Sequence, residues 1–434
     1  MPEQKKHNSI VKREPTSISR VSKSIEITNK LLALTEEPSI IPYRKGDKWG
    51  YCTPSKKIVI DCEFDMAFKF TEGFGRVKKN DLYGYIDIKG NFLTDIKFKV
   101  VGEFKEGFAG LTEDYDKCNF INKQGEIVFG LKGFEDIQNF HNGYAGVVKN
   151  DKLGFINLCG DMVIPPIYDY DDWRIFRNQF YDEIHNGDSA FLHPNIPNFK
   201  EGYVRLKKNN KYGFADTNGN IIAPFIYDEA EDFSEGLAHV GINSSENGLI
   251  INSGYIDYNG ENIIPFKYHF DHIKSWDYLR QSRFSEGKAL VHPPLGWVDD
   301  DFFIDKKGNK LSVFDSYKLC SGFSEGLAVV RREYGEYIFQ KGRDIKYGFL
   351  DRNGNLAIDY HYEWAQPFSD GLAAIKMNGN YGFIDKSGKI VIECRYAKDF
   401  RQNRFINGLF FVPEGYMKPG KGYINKKGVE FWED

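Results

Sequence analysis

Residues 212–240 read YGFADTNGNIIAPFIYDEAEDFSEGLAHV, and this stretch contains every element of the pattern that decides the fold. Side chains alternate between the two faces of a strand, so Tyr212 and Phe214 share one face while Gly213 lies on the other. Both faces are non-polar over most of this segment, which predicts a strand that is covered on both sides. A glycine within a strand leaves room for a neighbouring backbone or ring to approach closely.

The remainder of the same unit predicts a turn and two further strands. Asp216 and Gly219 predict the turn, because aspartate bonds to the backbone ahead of it and glycine adopts a positive φ. The apolar run that follows predicts a strand whose pairing ends at Pro224. A spacing of three predicts a single helical or 3₁₀ turn that fills the core, at Tyr227, Ala230 and Phe233. Each unit is then a three-stranded antiparallel meander with a crossing turn, which needs neighbours to bury both faces.

The rest of the chain repeats this unit. Clear copies of the first phrase are YGYIDIKG at 83–90, YGFADTNG at 212–219, YGFLDRNG at 347–354 and YGFIDKSG at 381–388. Weaker copies lie at 49–56, 119–125, 153–160, 254–260, 302–308 and 422–428, so there are ten in all. A second phrase, Phe-x-[Glu/Asn/Asp]-Gly followed by a short apolar run, lies at 70–77, 104–111, 140–147, 199–206, 233–240, 284–291, 323–330, 368–375 and 405–412.

These phrases resemble the WG (Trp-Gly) repeat family, and the resemblance covers residues 41–434 in about ten units. Three features depart from the family pattern. Trp49 is the only tryptophan before a signature glycine, the copy at 302–308 lacks that glycine, and the units at 119 and 153 are degenerate. The resemblance implies a bacterial β-repeat protein. It implies neither a shared catalytic residue nor a shared ligand.

The pattern leaves two all-β architectures open, an open curved or superhelical array and a β-propeller-like closure. Ten units exceed the usual four to eight propeller blades. A closed propeller also commonly completes one blade from both termini. Here the first unit has its own first strand at Ile40–Lys45, and the last has its own final strand at Val429–Trp432. These observations favour the open array.

Composition excludes several classes of protein. The chain has 434 residues and a net charge of −4, so it offers no positive field that would gather nucleic acid. It contains no apolar run long enough for a membrane-spanning helix. Its six cysteines lie at least ten residues apart, which argues against a zinc or redox pair and favours reduced thiols. With no signal peptide at the N-terminus, we expect a cytoplasmic protein.

Residues 1–38 differ sharply from the rest, because Tyr43 is the first aromatic residue of the chain. Residues 1–15 are predicted to be disordered and 16–38 to form an amphipathic helical arm ahead of the array at 39–434. Its apolar stripe includes Val21, Ile25 and Leu32. This helix either docks on the array or contacts a partner or a second copy of the chain.

The largest interruption of the repeat, at 169–198, is rich in rings and acids. An aromatic surface ringed by carboxylates suits a basic peptide or a sugar. The predicted contact residues are Tyr170, Asp171, Asp172, Trp173, Phe176 and Tyr181. The alternative is a capping loop whose rings fill a gap in the array.

Signatures of catalysis are missing from the sequence. It has neither a Gly-x-Ser-x-Gly elbow nor a phosphate-binding glycine-rich loop. His269 and His272 are interpreted as loop residues rather than metal ligands. The repeated aspartate before x-x-Gly is interpreted as turn chemistry, and the repeated glutamate before glycine as a local backbone cap. We therefore predict no catalytic residue, no metal and no cofactor.

The leading hypothesis is a non-catalytic repeat scaffold that binds another protein through the array surface and its insertions. It predicts that the insertions lie on one surface. An alternative is a module that binds carbohydrate or another cell-envelope component, which predicts exposed rings at equivalent repeat positions. The third alternative is an enzyme whose site is assembled from polar groups of distant units.

Overall fold

The computed structural model describes residues 38–113, 118–131, 133–170, 196–243, 251–269, 282–293, 300–334, 344–397, 400, 403–413 and 420–434. The predicted disordered segment 1–15 and the arm at 16–38, apart from Pro38, lie outside these residues, and so do Val21, Ile25 and Leu32. Where the chain is described, its regular structure consists of β-strands and one 3₁₀ turn, with no α-helix. The all-β prediction is confirmed for this part of the chain.

The described residues form 34 strands in ten small sheets, numbered here in chain order. Sheet 1 contains β1 (Ile41–Lys45), β2 (Lys48–Cys52), β3 (Ile58–Phe64) and, from the other end of the chain, β34 (Trp432–Glu433). Sheets 2 and 3 contain β4 (Met66–Ala67), β5 (Phe74–Lys79) and β6 (Leu82–Asp87), then β7 (Val100–Val101), β8 (Phe108–Thr112), β9 (Cys118–Asn122) and β10 (Ile127–Val128). Sheets 4 and 5 contain β11 (Asp136–Ile137), β12 (Tyr144–Lys149), β13 (Lys152–Asn157) and β14 (Met162–Asp169), then β15 (Tyr203–Lys208), β16 (Lys211–Asp216) and β17 (Ile221–Tyr227).

The remaining five sheets follow the same order. Sheets 6 and 7 contain β18 (Glu229–Ala230), β19 (Ala238–Asn243), β20 (Ile251–Ile256) and β21 (Asn262–His269), then β22 (Ala289–Val291) and β23 (Phe302–Ile304). Between sheets 7 and 8 lies the 3₁₀ turn Ser312–Phe314. Sheets 8 to 10 contain β24 (Lys318–Leu319), β25 (Leu327–Tyr334), β26 (Asp344–Asp351) and β27 (Leu356–Tyr362), then β28 (Trp364–Ala365), β29 (Ala373–Met377), β30 (Asn380–Ile384) and β31 (Ile390–Tyr396), then β32 (Leu409–Val412) and β33 (Gly422–Asn425). Eight sheets have three or four strands, and sheets 7 and 10 have two.

The predicted crossing turn at Tyr227, Ala230 and Phe233 is wrong. Ala230 lies in the two-residue strand β18, which pairs with β19 and makes the sheet four-stranded rather than three-stranded. Backbone N–H groups of this segment donate to the next strand, from Asp228 to Gly241 and from Glu231 to His239. They therefore satisfy their bonding across the sheet instead of within a helical turn. The three side chains are nevertheless all buried, as the spacing indicates.

The predicted end of strand pairing at Pro224 is also wrong. Strand β17 continues through Pro224, and its register with β16 jumps from the pair Phe214–Ala223 to the pair Tyr212–Tyr227. The proline lies in this bulge, where no ladder bond needs its missing N–H.

The chain ends meet, so the preferred open array is wrong and the alternative, β-propeller-like closure, is correct. Strand β34 pairs with β1 in parallel, with Arg44 opposite Trp432. Arg44 also donates from Nε to the carbonyl of Lys421 at 2.8 Å and contacts the Asp434 carboxylate at 2.5 Å. Trp49 of sheet 1 packs on Phe411 of sheet 10, with ring centroids 6.5 Å apart. Strands are present at both ends of the chain, as predicted, but they pair with each other in one sheet.

The core lies between neighbouring sheets and is dominated by rings. Tyr85 of sheet 2 meets Phe104, which leads into sheet 3, with ring centroids 5.2 Å apart. Phe383 of sheet 9 likewise meets Phe405, which leads into sheet 10, at 4.9 Å. Each sheet is thus covered on both faces by its neighbours, as predicted for the strand at 212–216. All six cysteines are free thiols.

Candidate functional site

Antiparallel strand order divides the connections of every sheet between two faces of the ring. In the four-stranded antiparallel sheets 3, 4, 6, 8 and 9, the first strand turns into the second, and the third into the fourth, at what we call the turn face, which carries the Phe-x-Glu-Gly and Asp-x-x-Gly turns. The other sheets lack one or two of these strands or take one from the chain end, and the same phrases mark the turn face there. The connections from second to third strand, and from one sheet to the next, lie at the opposite end. We call that end the insertion face. Beyond residue 38, each break between described residues falls in a connection of the insertion face.

The insertion at 169–198 is anchored at both described ends by buried polar side chains of sheet 4. Tyr170 is 9% exposed, and its hydroxyl donates to Oδ2 of Asp136 at 2.8 Å. Nε2 of Gln138 donates to the carbonyl of Ile196 at 3.1 Å. Asp136 and Gln138 flank the end of the two-residue strand β11, and sequence reasoning missed both. No local signal could have found them, because their partners lie 34 and 58 residues away in the sequence.

Of the six predicted contact residues of this insertion, Tyr170 is the one that the structure describes. Tyr170 belongs to the hydrophobic core between sheets 4 and 5, so it positions the insertion rather than offering an exposed ring. The other five, Asp171, Asp172, Trp173, Phe176 and Tyr181, lie outside the described residues. Across the described chain, Phe92 and Tyr334 are the strongly exposed rings, and they occupy different positions of the repeat.

A cluster of titratable side chains lies between β15 of sheet 5 and the short strand β18 with its neighbours in sheet 6. Nδ1 of His239 lies 3.8 Å from Oε2 of Glu231, and the His239 ring stacks on Tyr255 with centroids 4.8 Å apart. Nε of Arg205 lies 3.5 Å from the Asp232 carboxylate. Arg205 also donates from Nη1 to the carbonyl of Ala230.

Burial shifts the protonation of both members of the Glu231–His239 pair towards the neutral form. It raises the pKa of Glu231 to about 7, against the opposing effect of Arg205 and Arg283. Desolvation lowers the pKa of His239 to about 3. A neutral imidazole beside a carboxyl that titrates near neutrality can exchange a proton or bind a polar group. Packing of a buried polar pair between sheets accounts equally well for the same geometry.

The repeated aspartates act as predicted, through turn chemistry. Oδ1 of Asp216 accepts from the N–H groups of Asn218 and Asn220, at 2.9 and 2.8 Å. The same pair of bonds recurs at the other repeat aspartates, Asp87, Asp257, Asp305, Asp351 and Asp385. No cluster of three potential metal ligands occurs among the residues that the structure describes. His269 lies at the end of β21, and His272 falls outside those residues.

The prediction that the repeated glutamate caps its own turn is wrong. Glu72 accepts from the N–H groups of Glu106 and Gly107, at 2.7 and 2.9 Å, in the corresponding turn of the next sheet. Lys123 of that sheet contacts the same carboxylate at 3.0 Å. Burial alone would raise the pKa of Glu72, but the bonds from Lys123 and the two N–H groups outweigh it and lower the pKa. These carboxylates therefore connect neighbouring sheets.

The repeat found in the sequence and in the sheets is recognised by a family model described as WG containing repeat. It matches residues 49–83, 83–115, 120–152, 154–170, 212–244, 254–291, 347–381 and 381–412, which together make up more than half of the chain. The chain belongs to the WG-repeat family. Eight WG segments are matched where the sequence indicates about ten copies. The two unmatched copies, at 302–308 and 422–428, lie in the two-stranded sheets 7 and 10.

Solved structures offer only distant similarity to this WG-repeat chain. A crystal structure titled as the eukaryotic initiation factor is 10% identical with a TM-score of 0.46, covering 91% of this chain and 95% of its own. BamB from Moraxella catarrhalis is 10% identical with a TM-score of 0.32, covering 74% and 97%. The closure of the ring is inferred from the pairing of β34 with β1. A search of curated proteins finds no match.

No helix in the described part of the WG-repeat chain has the length and apolarity that crossing a bilayer requires.

Proposed function

We propose that this chain is a non-catalytic WG-repeat scaffold that binds another protein through its insertion face. One observation carries the proposal: every interruption of the repeat lies in a connection of the insertion face. The turn face, in contrast, is stabilised by regular hydrogen bonds to aspartate and glutamate side chains. A closed ring of sheets provides a rigid base, and segments that depart from the repeat provide individuality.

The segment between Tyr170 and Ile196 is the principal contact in this proposal. Its two ends are fixed on Asp136 and Gln138, so the residues between them are presented from a defined place on the ring. The acids and rings of that segment favour a basic peptide surface on the partner. Asp171, Asp172, Trp173, Phe176 and Tyr181 remain the proposed contact residues, and Tyr170 is their anchor.

The proposal is tested by replacing residues 172–194 with a short Gly-Ser linker, which keeps both anchors. The tagged parent and variant are used to recover proteins from the native cell, and contacts are located by cross-linking mass spectrometry. A matched control replaces two exposed lysines of the turn face, Lys89 and Lys307, with serine.

We expect the linker variant to lose a partner that cross-links to the parent insertion, at an unchanged melting temperature, while the control retains it. Unchanged partner recovery would contradict the proposal. A lower melting temperature with unchanged recovery would support the capping-loop alternative.

A further inference from the structure

The nine Phe-x-Glu-Gly turns have one backbone geometry. Glu72 and Gly73 have φ of 50° and 94°, and Thr71 and Phe74 exchange backbone hydrogen bonds across them. These values define a two-residue type I′ hairpin turn. The residue at the Glu72 position of every other copy also has a positive φ, at Glu106, Asn142, Glu201, Glu235, Glu286, Glu325, Asp370 and Asn407.

Seven of these turns receive a carboxylate from the preceding sheet. The acceptors are Glu72, Glu106, Glu201, Glu235, Glu286, Glu325 and Asp370, each bound to one or both N–H groups of the next turn. Five of them also contact a lysine or arginine of that next sheet within 3.2 Å. The type I′ turn of this fold is therefore a carboxylate-binding element, used repeatedly within the chain.

The turn at Glu201–Gly202 does not receive a carboxylate, because the preceding sheet has Asn142 at that position. The Asn142 amide donates instead to the carbonyl of Phe199 at 2.7 Å. Among the described residues no acceptor lies within hydrogen-bonding distance of the N–H groups of Glu201 and Gly202. Both residues are exposed, whereas the corresponding pair at Glu235–Gly236 is half-buried.

Lys200 directly precedes this uncapped turn, and His141 adjoins Asn142, whose amide bonds to Phe199 just before the turn. The second position of the phrase is Lys105, His141 and Lys200 in three successive sheets, where four later copies have serine. Neither lysine has a carboxylate within 4 Å in the described part of the chain. Nδ1 of His141 is buried and has no hydrogen-bond partner there. Burial, with smaller contributions from Lys105 and Lys200, lowers the pKa of His141 to about 4.

We propose that the Glu201–Gly202 turn, with Lys105, His141 and Lys200, is a binding site for a glutamate or aspartate side chain presented by a partner protein. The ligand class follows from the fold, because seven equivalent turns of this chain bind a carboxylate through the same N–H groups. Two cations add the charge complementarity that a backbone turn lacks. This site lies on the turn face and does not depend on the insertion face described above.

The turn at Glu72–Gly73 also lacks a carboxylate from the preceding sheet, but the residue directly before it is not basic. Strand register places Pro38 where the carboxylate ahead of Glu72–Gly73 would lie. The second position of that copy is Thr71, so this turn lacks the lysine, and its Glu72 and Gly73 N–H groups have no acceptor among the described residues. It provides an internal comparison for the site at Glu201–Gly202.

The test uses the full chain and a fluorescein-labelled hexaglutamate peptide, with hexaglutamine as the uncharged comparison. Fluorescence anisotropy measures binding, and NMR titration of the His141 ring measures its pKa with and without peptide. We expect hexaglutamate, but not hexaglutamine, to bind. Bound hexaglutamate should raise the pKa of His141, because a carboxylate stabilises the imidazolium. Inorganic phosphate and acetate are added as competitors.

Asn142→Glu is the decisive variant, because it supplies the missing carboxylate from within the chain. We expect it to weaken hexaglutamate binding at least tenfold, whereas Asn142→Gln, which has the same length without the charge, should not weaken it tenfold. Asn353→Glu adds the same charge at an exposed turn of sheet 8 and should leave binding unchanged.

Three results would overturn the proposal. They are equal binding of hexaglutamine, unchanged hexaglutamate binding by Asn142→Glu, and an equal loss of binding in Asn353→Glu. Stronger competition by phosphate than by acetate would overturn the assignment of a carboxylate ligand.

Discussion

At the scale of single residues, the signature glycine faces the backbone of the next strand in five WG units, at Gly50, Gly154, Gly254, Gly348 and Gly382. A Cβ placed on Gly382 would lie 2.6 Å from the carbonyl oxygen of Ile392 and 2.8 Å from the nitrogen of Cys394. Both atoms belong to the bulged fourth strand, which cannot move away without breaking the ladder. The glycine is required because of this approach, and the bulge is what brings the backbone so close.

Gly382→Val and Gly213→Val are therefore expected to lower the free energy of unfolding by about 2 kcal/mol or more, through overpacking. Gly219→Val is expected to be destabilising as well, because Gly219 has φ of 80° and Val163 lies close to it. Denaturant unfolding measures the three variants. Gly46→Asn serves as the control, since Gly46 has a positive φ but no atom near its Cβ position. Parent-like stability of all three valine variants would contradict this account.

The Glu231–His239 pair predicts how folding stability depends on pH. The glutamate lowers stability as pH rises, and the histidine lowers it as pH falls. The pKa of Glu231, about 7, exceeds its ordinary value of 4.5, so its stabilising contribution is lost as pH rises through 7. The pKa of His239, about 3, lies below its ordinary value of 6.5, so its contribution is lost as pH falls from 6.5 towards 3. Between 4.5 and 6.5 the two effects oppose each other.

We expect Glu231→Gln to flatten the decline of stability between about pH 6 and pH 8, and His239→Asn to flatten the acid side. Urea unfolding from about pH 3 to about pH 8 measures both effects. His361→Gln, at an exposed histidine, is the control. Identical pH profiles for parent and variants would exclude the pair as their source.

At the scale of elements, neighbouring sheets are connected through their turns as well as through their rings. Ser324 donates to the carbonyl of Phe368 in the next unit at 2.8 Å, while Glu325 of the same turn accepts from Gly371. This repeated hairpin turn therefore bonds to the next sheet through two side chains. This explains why a glutamate, rather than the usual asparagine, occupies the first turn position.

Glu72→Ala is expected to lower the free energy of unfolding by about 1 kcal/mol, because two backbone N–H groups and Lys123 lose their acceptor. Glu72→Gln should lie between parent and alanine, since its amide oxygen accepts one bond without the charge. Thermal and urea unfolding measure both, with the exposed Glu113→Ala as a control. Equal stability of Glu72→Ala and the parent would show that the turn carboxylates do not hold the sheets together.

At the scale of the whole molecule, a short strand closes the ring. Removing Trp432–Asp434 takes away the parallel partner of β1 and the Arg44–Asp434 contact. We expect a loss of at least about 1 kcal/mol and faster amide hydrogen exchange in β1, with the other sheets retained. Removing Asp434 alone is the control, since it keeps the strand pairing. Unchanged exchange in β1 after the longer truncation would contradict closure through β34.

The N-terminal arm also belongs to this scale. Ring closure is formed by residues from Ile41 onward, so a 40–434 truncation should stay folded. We expect it to lose a partner or an oligomeric state, because the apolar stripe of 16–38 needs a surface to cover it. Light scattering and pull-down measure the outcome. Unchanged mass and partners with a lower melting temperature would mean that the arm caps the array.

The repeat, the strand faces, the aspartate turns and the strand glycine were readable from the sequence by itself, because each depends on residues within a few positions of one another. The short first strand could not be predicted, since two residues make no periodic pattern and β18 gains its partner only from β19. The target of Glu72 lies 34 residues away, at Glu106, so no local pattern indicates it. Closure depends on the angle accumulated over all ten sheets, which decides whether the edge of β1 meets Trp432. Only the tertiary structure decided these features, because each is a contact between units, and repeated sequence specifies the units far more strongly than the way in which they meet.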